Sequence, residues 1–121
     1  MAKKILIIED DRLLLKALEN SFLLFGFDVF TATNGKDALI KFTDHDIDLV
    51  ICDIMMPEVS GISFINEIKK NYNAEIPVII ISSLRSGEQI TTSLDYKNSI
   101  YLPKPFSFEK ITDIVRDLLR S

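Results

Sequence analysis

Five short apolar runs alternate along this chain with stretches of helical period, and that alternation constrains the fold more than any single motif. The runs are Ile5-Leu6-Ile7-Ile8, Val29-Phe30-Thr31-Ala32, Leu49-Val50-Ile51-Cys52, Val78-Ile79-Ile80-Ile81 and Ile100-Tyr101-Leu102. Three are continuously apolar and mostly β-branched, the pattern of strands covered on both faces. The Val29 run is less uniformly apolar and the Ile100 run is short, which assigns both to edges. Pro103 agrees for the latter, because proline cannot donate to a ladder and is confined to edge positions.

The intervening stretches read as helices. Leu14, Leu15, Leu18, Phe22 and Phe25 recur at spacings of three and four, and Gly26 offers a left-handed stop. Asn34 caps a second helix running through Ala38, Leu39 and Phe42. Ser60-Gly61 opens a third, with Ile62, Phe64, Ile65 and Ile68 on its apolar side. Ser86 with Gln89 matches a capping box before a fourth, which Thr91, Thr92 and Ser93 weaken. Ser107 caps a fifth, apolar at Ile111, Ile114, Val115, Leu118 and Leu119. A β-α unit repeated five times implies an α/β three-layer sandwich: a parallel sheet, helices on both faces and right-handed crossovers.

At 121 residues there is room for one domain, spanning 1–121. With 47% hydrophobic residues and a length that buries roughly two thirds of the unfolded surface, it needs neither disulfides nor a structural metal. The single Cys52 fits a reducing compartment. No run approaches the ~20 apolar residues of a membrane span, and the apolar segment after Lys3-Lys4 stops at Glu9, too soon for a signal peptide. The expected location is the cytoplasm. A formal charge of −4 argues against a nucleic-acid binder, whose domain normally carries a basic face.

In open parallel sheets, ligands sit beyond the carboxyl ends of the strands. Those ends read Glu9-Asp10-Asp11, Asp53, Ser82-Ser83 and Lys104-Pro105. Glu9, Asp10 and Asp53 with Lys104 sum to −2, and like charges so close are costly outside bulk water. A hard divalent cation offsets them, and Mg²⁺ suits a few carboxylates plus waters and phosphate oxygens, with Mn²⁺ as an alternative. A carboxylate nucleophile beside such an ion yields an acyl phosphate. Lys104 and the Ser82 hydroxyl are suited to phosphoryl oxygens. Taken alone, Glu9-Asp10-Asp11 reads equally well as a solvated turn capping a helix. His45, between Asp44 and Asp46, reads as surface. Cys52 points to the face opposite Asp53 and reads as core.

Four segments, ILIIED (Ile5–Asp10), ICDIMMPEVSG (Ile51–Gly61), PVIIISS (Pro77–Ser83) and YLPKPF (Tyr101–Phe106), together resemble the receiver domain of bacterial two-component response regulators. The resemblance implies a flavodoxin-like sheet of order 2-1-3-4-5. It implies Asp53 as phosphoacceptor, Asp10 as direct Mg²⁺ ligand, Glu9 acting through a metal-bound water, and the Met55 backbone carbonyl completing the metal site. Ser82 then matches the switch hydroxyl, Tyr101 the aromatic that changes rotamer with it, and Lys104 the phosphate-binding lysine, with a cis Lys104-Pro105 bond. The implied partners are a sensor histidine kinase or histidine phosphotransfer protein, a downstream target or fused output domain, and a phosphorylation-dependent dimer. No direct nucleic-acid contact and no membrane are implied, and no enzyme activity beyond its own phosphoryl transfer and dephosphorylation.

Three positions depart from the family. Ser83 replaces a small apolar residue. Tyr96-Lys97-Asn98-Ser99 replaces a Gly-Ala-Asp-Asp run, which removes support for the charged dimer face of one transcription-factor subfamily. Met55 and Leu84, flanking the attacking water, are apolar, which implies slow self-dephosphorylation. Three alternatives stand beside the switch. An aspartyl-nucleophile phosphatase would want an acid where Met55 stands. A flavin carrier would want a glycine-rich loop where Glu9-Asp10-Asp11 stands. A receiver-like interaction module without phosphorylation is the last.

Overall fold

The computed structural model describes residues 2–55 and 61–120. Five strands alternate with five helices: β1 (Lys4–Ile8), α1 (Arg12–Leu24), β2 (Asp28–Ala32), α2 (Gly35–Asp44), β3 (Leu49–Asp53), α3 (Gly61–Tyr72), β4 (Val78–Ser82), α4 (Gly87–Ser93), β5 (Ser99–Pro103) and α5 (Phe108–Leu118). The strands form one parallel sheet in the order β2-β1-β3-β4-β5, with the two weaker runs at its edges as their composition predicts.

Side chains alternate across the strands and split the core in two. Leu6, Ile8, Val50, Cys52, Val78 and Ile80 pack with Ala38 of α2 and Phe64, Ile65 and Ile68 of α3. Ile5, Ile7, Leu49, Ile51, Ile79 and Ile81 pack with Leu15, Leu18 and Phe22 of α1 and with Ile111 and Val115 of α5. Cys52 is core, as expected, and burial pushes its thiol far up. His45 is exposed and stacks on Phe30, ring centroids 4.0 Å apart.

Most helix signals hold. Asn34 Oδ1 accepts from the Asp37 N–H at 2.8 Å, and Ser107 Oγ from the Lys110 N–H at 3.0 Å. Gly26 takes φ 89°, and the Phe27 N–H returns to the Phe22 carbonyl at 3.2 Å, with the two rings edge to face, closing α1. Two expectations fail. Phe25 lies beyond the last turn of α1, 54% exposed, with the Arg116 guanidinium 5.3 Å from its ring centroid. Ser86 does precede α4, but its backbone (φ −86°, ψ 6°) is not the extended one a capping box needs, and its side chain makes no cap bond. The Gly87 N–H instead donates to the Leu84 carbonyl. Thr91, Thr92 and Ser93 turn their hydroxyls back onto α4 carbonyls, leaving a helix of only seven residues. Ser60, expected to open α3, and Met56 lie outside the described residues.

Among the described residues no helix is long and apolar enough to cross a membrane.

Candidate functional site

The register brings the strand ends level. Cys52 pairs with Ile8 on one side and Ile80 on the other, Asp53 with Ile81, and Ser82 with Pro103. The ladder then runs one residue past the strands. The Glu9 N–H donates to the Ala32 carbonyl at 3.0 Å and the Lys104 N–H to the Ser82 carbonyl at 2.8 Å. Glu9 and Lys104 are therefore held by sheet hydrogen bonds rather than by free loops, and they flank Asp53 from opposite sides.

Glu9 is fully buried and Asp53 is 3% exposed. Lys104 Nζ donates to Glu9 Oε1 at 2.7 Å and to Asp53 Oδ2 at 2.8 Å. The remaining oxygens are also engaged: Glu9 Oε2 accepts from the Asp11 N–H at 3.0 Å, and Asp53 Oδ1 from the Met55 N–H at 2.7 Å. Burial pushes the Glu9 carboxyl up to about 7, against the lowering effect of its Lys104 and Asp11 hydrogen bonds. Burial alone would depress Lys104, but its two carboxylate partners outweigh that and hold its ammonium above the usual range.

Carboxylate oxygens of Glu9, Asp10 and Asp53 lie within 4.8 Å of one another. Asp10 is exposed while the other two are buried, so the acidic cluster opens to water on one side. An all-oxygen donor set with one wet side fits a hard divalent cation that keeps part of its water shell. Asp11 stands apart from this cluster. Its side chain caps α1, accepting from the Leu13 and Leu14 N–H groups at 3.1 and 3.3 Å.

Ser82 is buried, and its Oγ accepts from the Leu84 N–H at 2.9 Å. Tyr101, half-buried on the neighbouring edge strand, places its hydroxyl 3.3 Å from the Leu84 carbonyl. The Lys104-Pro105 peptide is cis.

A model of the response regulator receiver domain matches residues 5–116. The chain belongs to this family. Among solved structures, the receiver domain of a Francisella response regulator superposes with a TM-score of 0.84 at 33% identity, covering 96% of this chain and 95% of that one. The Thermotoga maritima response regulator TrrA, solved in complex with Mg²⁺-BeF, gives a TM-score of 0.84 at 31% identity over 97% and 99% of the two chains. Among curated proteins, the probable transcriptional regulator ycf27 of Cyanidium caldarium is 36% identical over 96% of this receiver domain and 46% of its own length. The transcriptional regulatory protein CrdR of Helicobacter pylori is 31% identical over 92% of this chain and 52% of its own. The receiver domain thus spans about half the length of the curated relatives it matches.

Glu9, Asp10, Asp53 and Lys104 meet at this rim of the sheet, Ser82 ends the neighbouring strand, and Tyr101 stands mid-strand opposite Ile80 with its hydroxyl reaching the Leu84 carbonyl. Two residues that sequence reasoning missed are glycines defined by close approach. A Cβ on Gly61 would stand 2.4 Å from the Asp53 carbonyl oxygen and 2.6 Å from Cys52 Sγ. One on Gly87 would stand 2.5 Å from the Tyr101 hydroxyl. A missing side chain leaves no periodic signal, so only the tertiary contact reveals either.

Proposed function

We propose that this receiver domain accepts a phosphoryl group on Asp53 in a Mg²⁺-dependent reaction from a histidine kinase or histidine phosphotransfer protein. The observation that carries the reading is the setting of Asp53: a buried carboxylate at a strand end, bonded to Lys104 and within 4.8 Å of two further acids. In the transfer the donor's N–P bond breaks, a bond forms from an Asp53 oxygen to phosphorus, and the imidazole leaves with the electron pair. Glu9, Asp10, Asp53 and the Met55 carbonyl are the groups that would hold the ion. When bound, it offsets charge between the incoming phosphoryl oxygens and the attacking carboxylate.

Lys104 must leave Asp53 Oδ2 free for the reaction, and its ammonium is then available to a phosphoryl oxygen. Ser82 Oγ can likewise exchange the Leu84 N–H for the phosphoryl group, releasing the corner between β4 and α4. We assign Ser82 and Tyr101 as the switch that partners read through α4, β5 and α5. A protein donor reaches Asp53 past the open groove beside Lys104, of about 460 Å³, which Leu14, Phe106 and Phe108 make largely apolar. Met55 and Leu84 have no side-chain group to orient water, so the acyl phosphate is long-lived. The curated relatives are named as transcriptional regulators and are about twice this length, which favours control of an attached or separate output module, in the cytoplasm.

The test is incubation with acetyl phosphate and Mg²⁺, read by intact mass. One added phosphoryl group is expected, absent without the metal and absent in Asp53→Asn. An adduct that survives Asp53→Asn would sink the assignment, and rapid loss of label without a phosphatase would remove the long lifetime.

A further inference from the structure

The Leu84 peptide ties together the corner between β4 and α4. Its N–H donates to Ser82 Oγ, while its carbonyl accepts from the Gly87 N–H at 3.2 Å and faces the Tyr101 hydroxyl at 3.3 Å. The hydroxyl also stands 3.4 Å from the Ser82 carbonyl, and with a single proton it donates to one of the two at a time. The position of the tyrosine therefore follows the position of Leu84.

The ring reaches that position by lying directly on Gly87. A Cβ there would stand 2.5 Å from the Tyr101 hydroxyl oxygen, 2.6 Å from Cε1 and 2.7 Å from Cζ, closer than side chains pack. Gly87 is buried, opens α4 and does not take a positive φ, so its backbone does not require glycine. Helix propensity favours alanine at such a position. What glycine provides at 87 is room for the ring.

We propose that Gly87 is a positioning residue for the Tyr101 switch, its missing side chain forming the seat that the ring occupies against α4. The proposal rests on the assignment of Ser82 and Tyr101 as the switch. When Ser82 Oγ turns to a phosphoryl oxygen, the Leu84 N–H loses its acceptor. The Leu84 carbonyl then moves, and with it the anchor of the tyrosine hydroxyl and of the Gly87 N–H together. Ring and α4 change as one unit because they share that carbonyl and because nothing separates ring from helix backbone.

The experiment uses the full chain labelled with 3-fluorotyrosine, whose three resonances report Tyr72, Tyr96 and Tyr101, the last assigned from Tyr101→Phe. In Gly87→Ala the Tyr101 resonance is expected to move toward that of the exposed Tyr72 before any ligand is added, with Tyr72 and Tyr96 unchanged. Adding Mg²⁺ and beryllium fluoride should then shift Tyr101 in the wild type and leave it in place in the variant, while Asp53 still accepts a phosphoryl group by intact mass. A Tyr101 resonance in Gly87→Ala identical to the wild type's would overturn the proposal. A wild type that takes no phosphoryl group overturns the switch assignment beneath it, a failure read in the mass spectrum and not in the resonance.

If Gly87→Ala folds poorly, Gly87→Ala in a Tyr101→Ala background decides. There the alanine should leave the urea midpoint unchanged or raise it, whereas beside Tyr101 it lowers it. Equal losses in both backgrounds would mean that the ring does not need the seat.

Discussion

The Lys104 ammonium and the Glu9 carboxylate, 95 residues apart in sequence, meet at 2.7 Å where Glu9 has no exposed surface. The same ammonium reaches Asp53, so one cation compensates two buried acids. Lys104→Met keeps the bulk of the stem and removes the charge, leaving both carboxylates without a cation. Breaking a buried pair by deleting one partner typically costs about 3–5 kcal/mol. Proton uptake by Glu9 softens that, since its carboxyl already titrates near 7. A loss of roughly 2–4 kcal/mol in metal-free urea denaturation is expected, with part of it recovered by added Mg²⁺. Unchanged stability in EDTA would show that the bridge contributes nothing in solution.

Asp10 and Asp11 are adjacent and both exposed, yet they separate cleanly. Asp10 belongs to the acidic cluster, while Asp11 caps α1. Asp10→Asn should weaken Mg²⁺ binding by at least about tenfold in calorimetric titration, since a hard cation loses a charged ligand. Asp11→Ala should cost about 0.5–2 kcal/mol of stability through the lost cap. It should leave Mg²⁺ affinity nearly intact, because the bond from residue 11 to Glu9 uses the backbone N–H. Equal effects of the two substitutions on Mg²⁺ affinity would contradict this division.

Gly61 presses the start of α3 onto the Asp53 carbonyl. The nearest atom to an added Cβ is backbone, which cannot swing aside. Gly61→Ala is therefore expected to destabilise by roughly 1–3 kcal/mol, the usual range for overpacking, and to slow acceptance of the phosphoryl group from acetyl phosphate. Cys52→Ala removes the Sγ clash but not the carbonyl one, so the double variant should regain only part of the loss. Full rescue by Cys52→Ala would place the strain on the sulfur instead.

These cases also mark what could be read in the sequence. Runs such as Val78–Ile81 declare their strands because burial on both faces demands uninterrupted apolar residues, and Asp53 stands out because it ends such a run, whereas Lys104 follows the shorter edge run Ile100–Leu102 and Pro103. Tyr101 could be matched only by its position. Gly61 and Gly87 could not be distinguished from ordinary helix-start glycines, since each is defined by a contact with a residue distant in sequence. The Ser86–Gln89 pair has the right letters for a cap, but the tight turn from Leu84 to Gly87 fixes a backbone that puts the hydroxyl out of use. The departure at Tyr96-Lys97-Asn98-Ser99 was legible only as a difference from the family. The fold shows its work: Tyr96 and Asn98 donate to the carbonyls of Ile76 and Glu75, bracing the entry to β4.

That brace supplies a pH dependence with a defined sign. Tyr96 is 5% exposed, donates to the Ile76 carbonyl at 2.7 Å, and is pushed up to about 12 by burial, with Glu75 adding negative potential. In the unfolded chain its phenol titrates near 10. The folded state therefore keeps a proton that the unfolded state gives up, so this contribution is fully present below pH 10 and is lost as pH rises from about 10 to 12. Lysines titrate in the same window, so the comparison must be with Tyr96→Phe, which removes only the hydroxyl. At neutral pH that variant should lose about 0.5–1.5 kcal/mol for the unpaired Ile76 carbonyl. Between pH 10 and 12 the gap to the wild type should close and then reverse, because the phenylalanine has no proton to lose. Urea midpoints of the two proteins that stay parallel across that window would show that Tyr96 does not hold its proton in the fold.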